Sequence, residues 1–295
     1  MKDYIEAYVD WLVNRKKSSK NTVEAYKRDL LQFIIYMESL NINRIEDIKS
    51  SHINSYINYL ESNNKSPASI SRQISSLKTF FNFLIKKKII DTNPFFDVKP
   101  IKFKKKIPTI LTVEEVERLL EQPDLSSLNG IRDKAILELL YATGLKVSEL
   151  VNLDVQDIDF EIGFVKCCSD YKERVIPLGK MALRALENYV KNARSKFVDG
   201  VTDQKALFVN FKGERITRQA CWKIIKKYAK KASINKTITP NTLRHSFALH
   251  LIENGADLKS VQDMLGNVDM SSIQKYVVLT KNKIKEVYNR THPRA

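Results

Sequence analysis

Glycine and proline are scarce in this sequence, with eight of each among 295 residues, about 5% together against a usual share near 12%. This scarcity disfavours turn-rich sandwiches, barrels and collagen-like repeats, and it favours helices. Three cysteines, two of them adjacent, disfavour a disulfide framework, and no Cys/His cluster has zinc spacing. No apolar run reaches the roughly 18 residues of a membrane span, and the first residues are not typical of a signal peptide. We therefore expect a reduced, cytoplasmic protein.

Positive charge is in large excess. The chain has 50 Lys and Arg against 34 Asp and Glu, which gives a formal net charge of +16. A surplus of this size predicts a polyanionic partner, nucleic acid before membrane. The length allows one large domain or two of ordinary size, and a hydrophobic share of 43% is enough for a sizeable core.

The first 88 residues carry four stripes of apolar residues at helical spacing. The fourth begins at Ser66-Pro67, a serine N-cap followed by proline at the first helical position. Four helices of this length can close a small bundle, so residues 1–88 are predicted to form one helical domain.

Lysine and proline dominate the next segment. Residues 86–106 contain eight lysines, and Pro94, Pro100 and Pro108 fall in or just beyond it. Because proline fixes φ and like charges repel, residues 89–107 are predicted to be an extended linker. It is either a solvated tether or, the preferred interpretation, a basic strap along a phosphate backbone.

The second half, residues 108–295, is predicted to be mostly helical with a small β-sheet. Thr112 and Glu115 form a capping-box pattern, and a strongly apolar helix ends at Thr143-Gly144. Two strand-like runs, 164–168 and 174–178, flank a polar turn and predict a β-hairpin. The remaining helices are predicted at 180–196, 217–232, 240–253, 257–265 and 271–287.

Three segments hold polar residues where a plain helix face is expected: 142–150, 239–248, and Leu265-Gly266-Asn267 followed nine residues later by Tyr276. Each segment alone is weak evidence for a catalytic site, since a lone tyrosine on an apolar helix is more often a core residue than a nucleophile. Together with 21–30, 67–72 and the terminal 292–295, they resemble the tyrosine recombinases, specifically the Xer type, over essentially the whole chain.

The resemblance implies a two-domain, C-shaped DNA clamp of mainly α class with a small β-sheet. Its parts would be an N-terminal core-binding bundle, the linker, and a catalytic-type domain ending in a docking tail. It also implies double-stranded DNA as partner, self-association or assembly with a related recombinase subunit, and no membrane. In this family a tyrosine attacks a DNA phosphate and forms a 3′-phosphotyrosyl link, without metal or cofactor.

Carried over position by position, the resemblance puts two of six catalytic residues in place, Tyr276 as nucleophile and Arg244 as the second arginine. Lys146 stands where the first arginine is expected. Asn241 and Asn267 stand where the two histidines are expected. Ser169 or Asp170 takes the place of the catalytic hairpin lysine, and Lys172 is a possible substitute general acid.

These substitutions carry a chemical cost. Lysine cannot make the planar two-pronged contact to phosphate that arginine makes, and asparagine cannot carry a proton. A lost general acid or base typically costs about 10²–10⁴ in rate. The preferred prediction is a DNA-binding protein of this lineage that still assembles, with strand cleavage lost or severely reduced. The alternative is an active recombinase in which Lys146 and Lys172 converge on Arg244 and Tyr276.

Two further alternatives stay open at this point. Topoisomerase-like relaxation of type IB shares the chemistry and suffers the same losses, and a helical RNA-binding protein fits the composition alone. The candidate DNA-contacting residues could also be ordinary solvated residues. They are Lys27, Arg28, Arg72, Gln73, Lys78, Lys104, Lys105, Lys106, Arg218, Gln219 and Lys223.

Overall fold

The computed structural model describes residues 1–96, 98, 108–169, 172–201 and 203–266, with the side chains of Ser169 and Lys172 left out. The chain divides into two compact units, Met1–Lys106 (unit 1) and Ile107–Ala295 (unit 2). The fold is mostly helical with a small sheet, so the predicted class is confirmed. The domain limits 1–88, 89–107 and 108–295 stay a prediction, as does the C shape. In the part of the chain described, no helix is both long and apolar enough to cross a membrane.

Unit 1 contains the four predicted helices: α1 (Lys2–Asn14), α2 (Lys20–Ser39), α3 (Ser50–Ser62) and α4 (Pro67–Lys86). The Ser66 hydroxyl accepts a hydrogen bond from the Ser69 amide at 3.2 Å, so α4 begins where the Ser-Pro pair predicts. The core is aromatic, and the rings of Tyr8 and Phe80 lie 5.3 Å apart in an edge-to-face pair.

The first part of the predicted linker packs against unit 1. Ile89 and Ile90 pack against the core of unit 1, and Phe95 is fully buried there. The Phe95 ring lies 5.4 Å from that of Phe81 and 6.0 Å from that of Phe33. Burial of these apolar side chains outweighs the charge and proline content that suggested a tether. Most of the lysine-rich part, with Lys104, Lys105 and Lys106, lies outside the described residues.

Unit 2 contains a three-stranded antiparallel sheet with the strand order β1-β2-β3. The predicted hairpin is β2 and β3, paired with Cys167 opposite Arg174 and Ser169 opposite Lys172. Sequence patterns did not predict β1, which has only two residues. The elements are α5 (Val113–Leu120), α6 (Leu128–Thr143), α7 (Val147–Asn152), β1 (Ile158–Asp159), β2 (Phe164–Ser169), β3 (Lys172–Pro177), α8 (Lys180–Asn188), α9 (Ser195–Phe197), α10 (Arg218–Lys231), α11 (Pro240–Glu253) and α12 (Leu258–Leu265).

Two helix ends of unit 2 follow their sequence signals. The Thr112 hydroxyl accepts from the Glu115 amide at 3.2 Å, and the Glu115 carboxylate accepts from the Thr112 amide at 2.8 Å. Gly144 caps α6 with a left-handed φ of 60°. A Cβ at Gly144 would lie 2.5 Å from the Phe247 ring, so this turn needs glycine for space as well as for φ.

One predicted helix is interrupted. The segment predicted at 180–196 runs as α8, a π-helical turn over Tyr189–Arg194, and α9. The Arg194 side chain donates to the Ala206 carbonyl at 2.9 Å and to the Gln204 carbonyl at 2.6 Å. The predicted helix at 271–287 lies outside the described residues.

Candidate active site and DNA-facing surfaces

Arg244, on α11, links two of the segments that carry predicted catalytic positions. Its side chain is buried, and its guanidinium donates from Nη1 to the Gly144 carbonyl at 2.5 Å and from Nη2 to the Leu265 carbonyl at 2.6 Å. Gly144 lies two residues before Lys146, and Leu265 lies two residues before Asn267. The structure therefore brings the Lys146 turn and the end of α12 to the same arginine.

Arg174, on β3, is a site residue that sequence reasoning missed. Its Nη1 and Nη2 atoms donate to the two carboxylate oxygens of Glu149 on α7, at 3.1 and 2.7 Å. Its Nε donates to the Met264 carbonyl at 2.9 Å. Arg174 thus ties the hairpin to α7 and to the end of α12. The available signal was its place on the hairpin strand, two residues after Lys172.

Gly266 lies against this arginine. It ends α12 with a φ of 62°, and a Cβ there would lie 2.8 Å from Nη1 of Arg174. The residue immediately before Asn267 is therefore held by both its backbone conformation and the guanidinium beside it.

Lys146 stands at the N-cap of α7 and is half-exposed, with 42% of its side chain accessible. Its backbone amide donates to Glu149 Oε2 at 2.8 Å, and its Nζ lies 3.9 Å from Glu149 Oε1. Burial raises the pKa of Glu149. Hydrogen bonds from Arg174 and from the Lys146 amide, together with the positive charges of both residues, lower it by more, so the pKa lies below its usual value. Glu149 is therefore a carboxylate shared between Arg174 and Lys146, and it offsets part of the Lys146 charge.

Asn241 is the second residue of α11 and is exposed. It lies three residues before Arg244, a spacing that puts the two on neighbouring positions of one helix face. Its amide can donate and accept hydrogen bonds but does not titrate near neutral pH. Of the predicted site residues, Arg244, Lys146 and Asn241 thus lie in the described part of the chain, and Glu149 holds the Lys146 turn through the Lys146 amide.

Four further residues of the predicted site have no described side chain. Tyr276 and Asn267 lie outside the described residues, as does Asp170. Lys172 lies on β3, two residues before Arg174, and its side chain is not described. The roles assigned to these residues stay predictions.

Five of the predicted DNA-contacting residues lie on described helices of unit 1, and four of these five reach the surface. Arg28 and Arg72 are exposed, and Lys27 and Lys78 are partly exposed. Lys27 donates to the Glu6 carboxylate at 2.7 Å.

Gln73 is a correction to the predicted DNA contacts. Its side chain is buried, its Oε1 accepts from the Tyr56 hydroxyl at 3.0 Å, and its Nε2 donates to Gln32 Oε1 at 3.3 Å. The helical phase of α4 places it on the same side as the core residues Ile70 and Leu77. Gln73 links helices within unit 1 instead of facing a ligand.

In unit 2, the predicted DNA-contacting residues Arg218, Gln219 and Lys223 are all exposed on α10. The same helix exposes Trp222, whose ring lies 4.2 Å below the Nζ of Lys226. The start of α10 is therefore a basic surface with one aromatic ring.

Comparisons with known proteins place the chain in a family. Residues 109–283 match the phage integrase family, and residues 5–88 match the phage integrase N-terminal SAM-like domain.

Tyrosine recombinase XerD of Staphylococcus haemolyticus (strain JCSC1435) is 44% identical over 296 residues, covering 100% of both chains. XerA recombinase is 26% identical, with a TM-score of 0.54 over 100% of this chain and 99% of that one. XerH site-specific recombinase, in a post-cleavage complex with its palindromic difH substrate, shares the fold at 21% identity, with a TM-score of 0.76 over 92% of this chain and 80% of that one. The chain belongs to the phage integrase family, as a Xer-type tyrosine recombinase.

Proposed function

We propose that this chain binds duplex DNA and assembles on it with recombinase subunits, while its own strand cleavage through Tyr276 is lost or severely reduced. The net charge of +16 and the exposed basic residues of α4 and α10 support DNA binding. The similarity to XerH, which was captured on its difH substrate, supports the same ligand class.

The observation that carries the reduced cleavage is the state of Lys146. Arg244 stands in a buried, hydrogen-bonded frame at this site, but the other position expected to hold a phosphate carries an ammonium group 3.9 Å from Glu149. An ammonium is a point charge without the guanidinium fork, and this one lies beside a carboxylate that attracts it away from a phosphate. The clamp on the non-bridging oxygens is therefore weakened.

Asn241 removes a second contribution. It can hydrogen-bond a phosphate oxygen, but it cannot take or give a proton, and general acid–base groups contribute about 10²–10⁴ in rate. A lost oxyanion donor costs about 10²–10³. Because such groups act as a unit, the two losses do not simply multiply.

The alternative is a working recombinase with a rearranged site. Its support is the position of Lys172 on β3, since that strand packs against α12 and carries Arg174 into contact with Glu149. A general acid on this strand would be near the other site residues. In this alternative, Lys172 protonates the leaving 5′ oxygen while Tyr276 forms the bond to phosphorus.

The experiment is covalent trapping on a nicked duplex whose target sequence comes from selection among random duplexes, with RNA as a competitor. Tight duplex binding without an adduct, and no adduct from Tyr276→Phe, is the expected result. An adduct formed at a rate like that of an intact Xer recombinase, and lost in Lys172→Ala, supports the rearranged site instead. An adduct on Tyr276 only when an intact relative is added shows that the assembly completes the site.

A further inference from the structure

Helices α2 and α4 of unit 1 meet at a seam that contains an ion pair between a buried aspartate and a partly exposed arginine. The Asp29 side chain is 3% exposed, and its carboxylate accepts a short hydrogen bond from Nη1 of Arg72, whose side chain is 45% exposed. The carboxylate therefore holds one end of a guanidinium whose remainder is at the surface.

A second polar link lies beside this pair. Tyr56 donates to the buried Gln73, and Gln73 donates across the seam to Gln32. Asp29 and Gln32 are one turn apart on α2, and Arg72 and Gln73 are consecutive on α4. Two side-chain links at one point of the helix pair fix the backbone from which Arg72 projects.

The exposed stripe of α4 around Arg72 is made of small residues, most of them polar. The Ser75 hydroxyl donates to the Ser71 carbonyl at 2.9 Å, and the Thr79 hydroxyl donates to the Ser75 carbonyl at 2.8 Å. Since both hydroxyl protons are used within the helix, these oxygens offer acceptors to an approaching group. The stripe, spaced by four and three residues, is Ala68, Arg72, Ser75, Thr79 and Asn82.

We propose that Arg72, held by Asp29, reads a guanine in the major groove of the DNA target, which makes Asp29 a positioning residue for sequence recognition. This inference rests on the proposed DNA binding and adds the identity of a residue that recognises the base sequence. A helix with small outward side chains fits a groove about 12 Å wide. The arginine fork matches the O6 and N7 acceptors of guanine. The acceptors of Ser75 and Thr79 suit the amino group of a neighbouring cytosine or adenine.

The pairing with Asp29 favours a base contact over a phosphate contact. A guanidinium beside a carboxylate adds little net charge for phosphate neutralisation, but its orientation is fixed before binding, so less entropy is lost. Lys78 lies on the same helix and provides the opposite case, a flexible positive charge. We expect Lys78 to contact a phosphate, which contributes affinity without sequence information.

The test uses the full chain and the duplex selected from a random pool, with every single-base-pair variant of that duplex, at several salt concentrations. In Arg72→Lys, discrimination at one G·C pair falls about 10- to 100-fold while the salt dependence is unchanged. In Asp29→Asn, discrimination falls at the same pair, and the slope of log K against log salt steepens by about one because the released guanidinium neutralises a phosphate. The control Lys78→Ala weakens binding equally to all duplexes and lowers that slope by about one.

The outcomes separate this inference from the proposed function. If the unaltered chain binds no duplex, the proposed function fails. If it binds duplexes but selects no sequence, or if Arg72→Lys keeps the same discrimination at every pair, the assignment of Arg72 is overturned while DNA binding stands. Thermal unfolding checks each variant. Arg72→Lys keeps a positive charge opposite Asp29, so it decides the matter if Asp29→Asn does not fold.

Discussion

The two units each contain a buried carboxylate paired with an arginine, and the difference lies in the exposure of the arginine. In unit 2, Glu149 is buried and Arg174 is largely buried, at 4% and 11% side-chain exposure. In unit 1, Asp29 is buried at 3% but Arg72 is 45% exposed. Arg174 uses its guanidinium nitrogens on Glu149 and on the Met264 carbonyl, whereas Arg72 is held through one nitrogen.

This comparison teaches that one chemical pair can serve two purposes. With neither member more than slightly exposed, the pair fastens separate segments, here β3, α7 and the end of α12. With only the acid buried, the pair orients a guanidinium toward solvent. The two uses should differ in how the protein responds to losing the acid, to crowding and to pH.

The largest expected effect comes from removing each acid. Glu149→Ala leaves Arg174 buried without its carboxylate and should lower the free energy of unfolding of unit 2 by about 3–5 kcal/mol. Asp29→Ala leaves Arg72 free to hydrate, so unit 1 should lose about 1–3 kcal/mol. The chain has two tryptophans, Trp11 in unit 1 and Trp222 in unit 2, so single-tryptophan backgrounds report each unit in a denaturant titration.

The matched control is Glu173→Ala, on the same hairpin. Glu173 pairs with Lys166 at 2.7 Å, but both side chains are more than half exposed, so the loss should stay within about 1 kcal/mol. Equal losses from Glu149→Ala and Glu173→Ala would show that the Arg174 pair does not fasten unit 2.

Crowding at Gly266 should have a smaller effect. Gly266→Ala introduces a left-handed alanine, which costs about 1–2 kcal/mol, and pushes a methyl group against Arg174. Gly255→Ala is the control, because Gly255 also has a positive φ, of 91°, with nothing within 4 Å of its Cβ position. The excess loss at Gly266, measured by unfolding of unit 2, reports how firmly Arg174 is held. No excess would mean that Arg174 moves aside freely.

Acid pH should move the two pairs in opposite directions, with the smallest effect. The pKa of Glu149 is lowered in the fold, so its stabilisation is present above its ordinary value and is lost as pH falls through the folded pKa. Burial raises the pKa of Asp29 against the opposing effect of Arg72, so its contribution improves as pH falls. Unfolding from pH 7 to pH 3, with Glu149→Gln and Asp29→Asn as references, measures both. Parallel slopes in the two units would contradict this contrast.

Local sequence signals predicted the helices well. Ser66-Pro67, the Thr112 and Glu115 capping box, and Gly144 each act within one turn of chain, so their effect can be inferred without tertiary contacts. The hairpin was also predicted, because two strand-like runs flank a polar turn in the sequence.

What sequence reasoning missed depends on contacts between distant residues. Arg174 meets a carboxylate 25 positions away and the carbonyl of Met264, 90 positions away. Phe95 was predicted to lie in the linker because the residues around it are rich in charge and proline, but its side chain is buried in the unit 1 core. Gln73 was predicted to contact DNA together with its neighbour Arg72, although its position on the helix turns it toward the core, where its amide bonds to Tyr56 and Gln32.

The proposed function requires that substitution at the predicted phosphate-binding and proton-transfer positions limits strand cleavage. The most direct test is the single-turnover cleavage rate on the selected nicked duplex for the unaltered chain and for the triple variant Lys146→Arg, Asn241→His, Asn267→His, each with Tyr276→Phe as the blank. We predict that the triple variant cleaves at least about 10²-fold faster. Equal rates in both chains, well above the Tyr276→Phe blank, would contradict the claim.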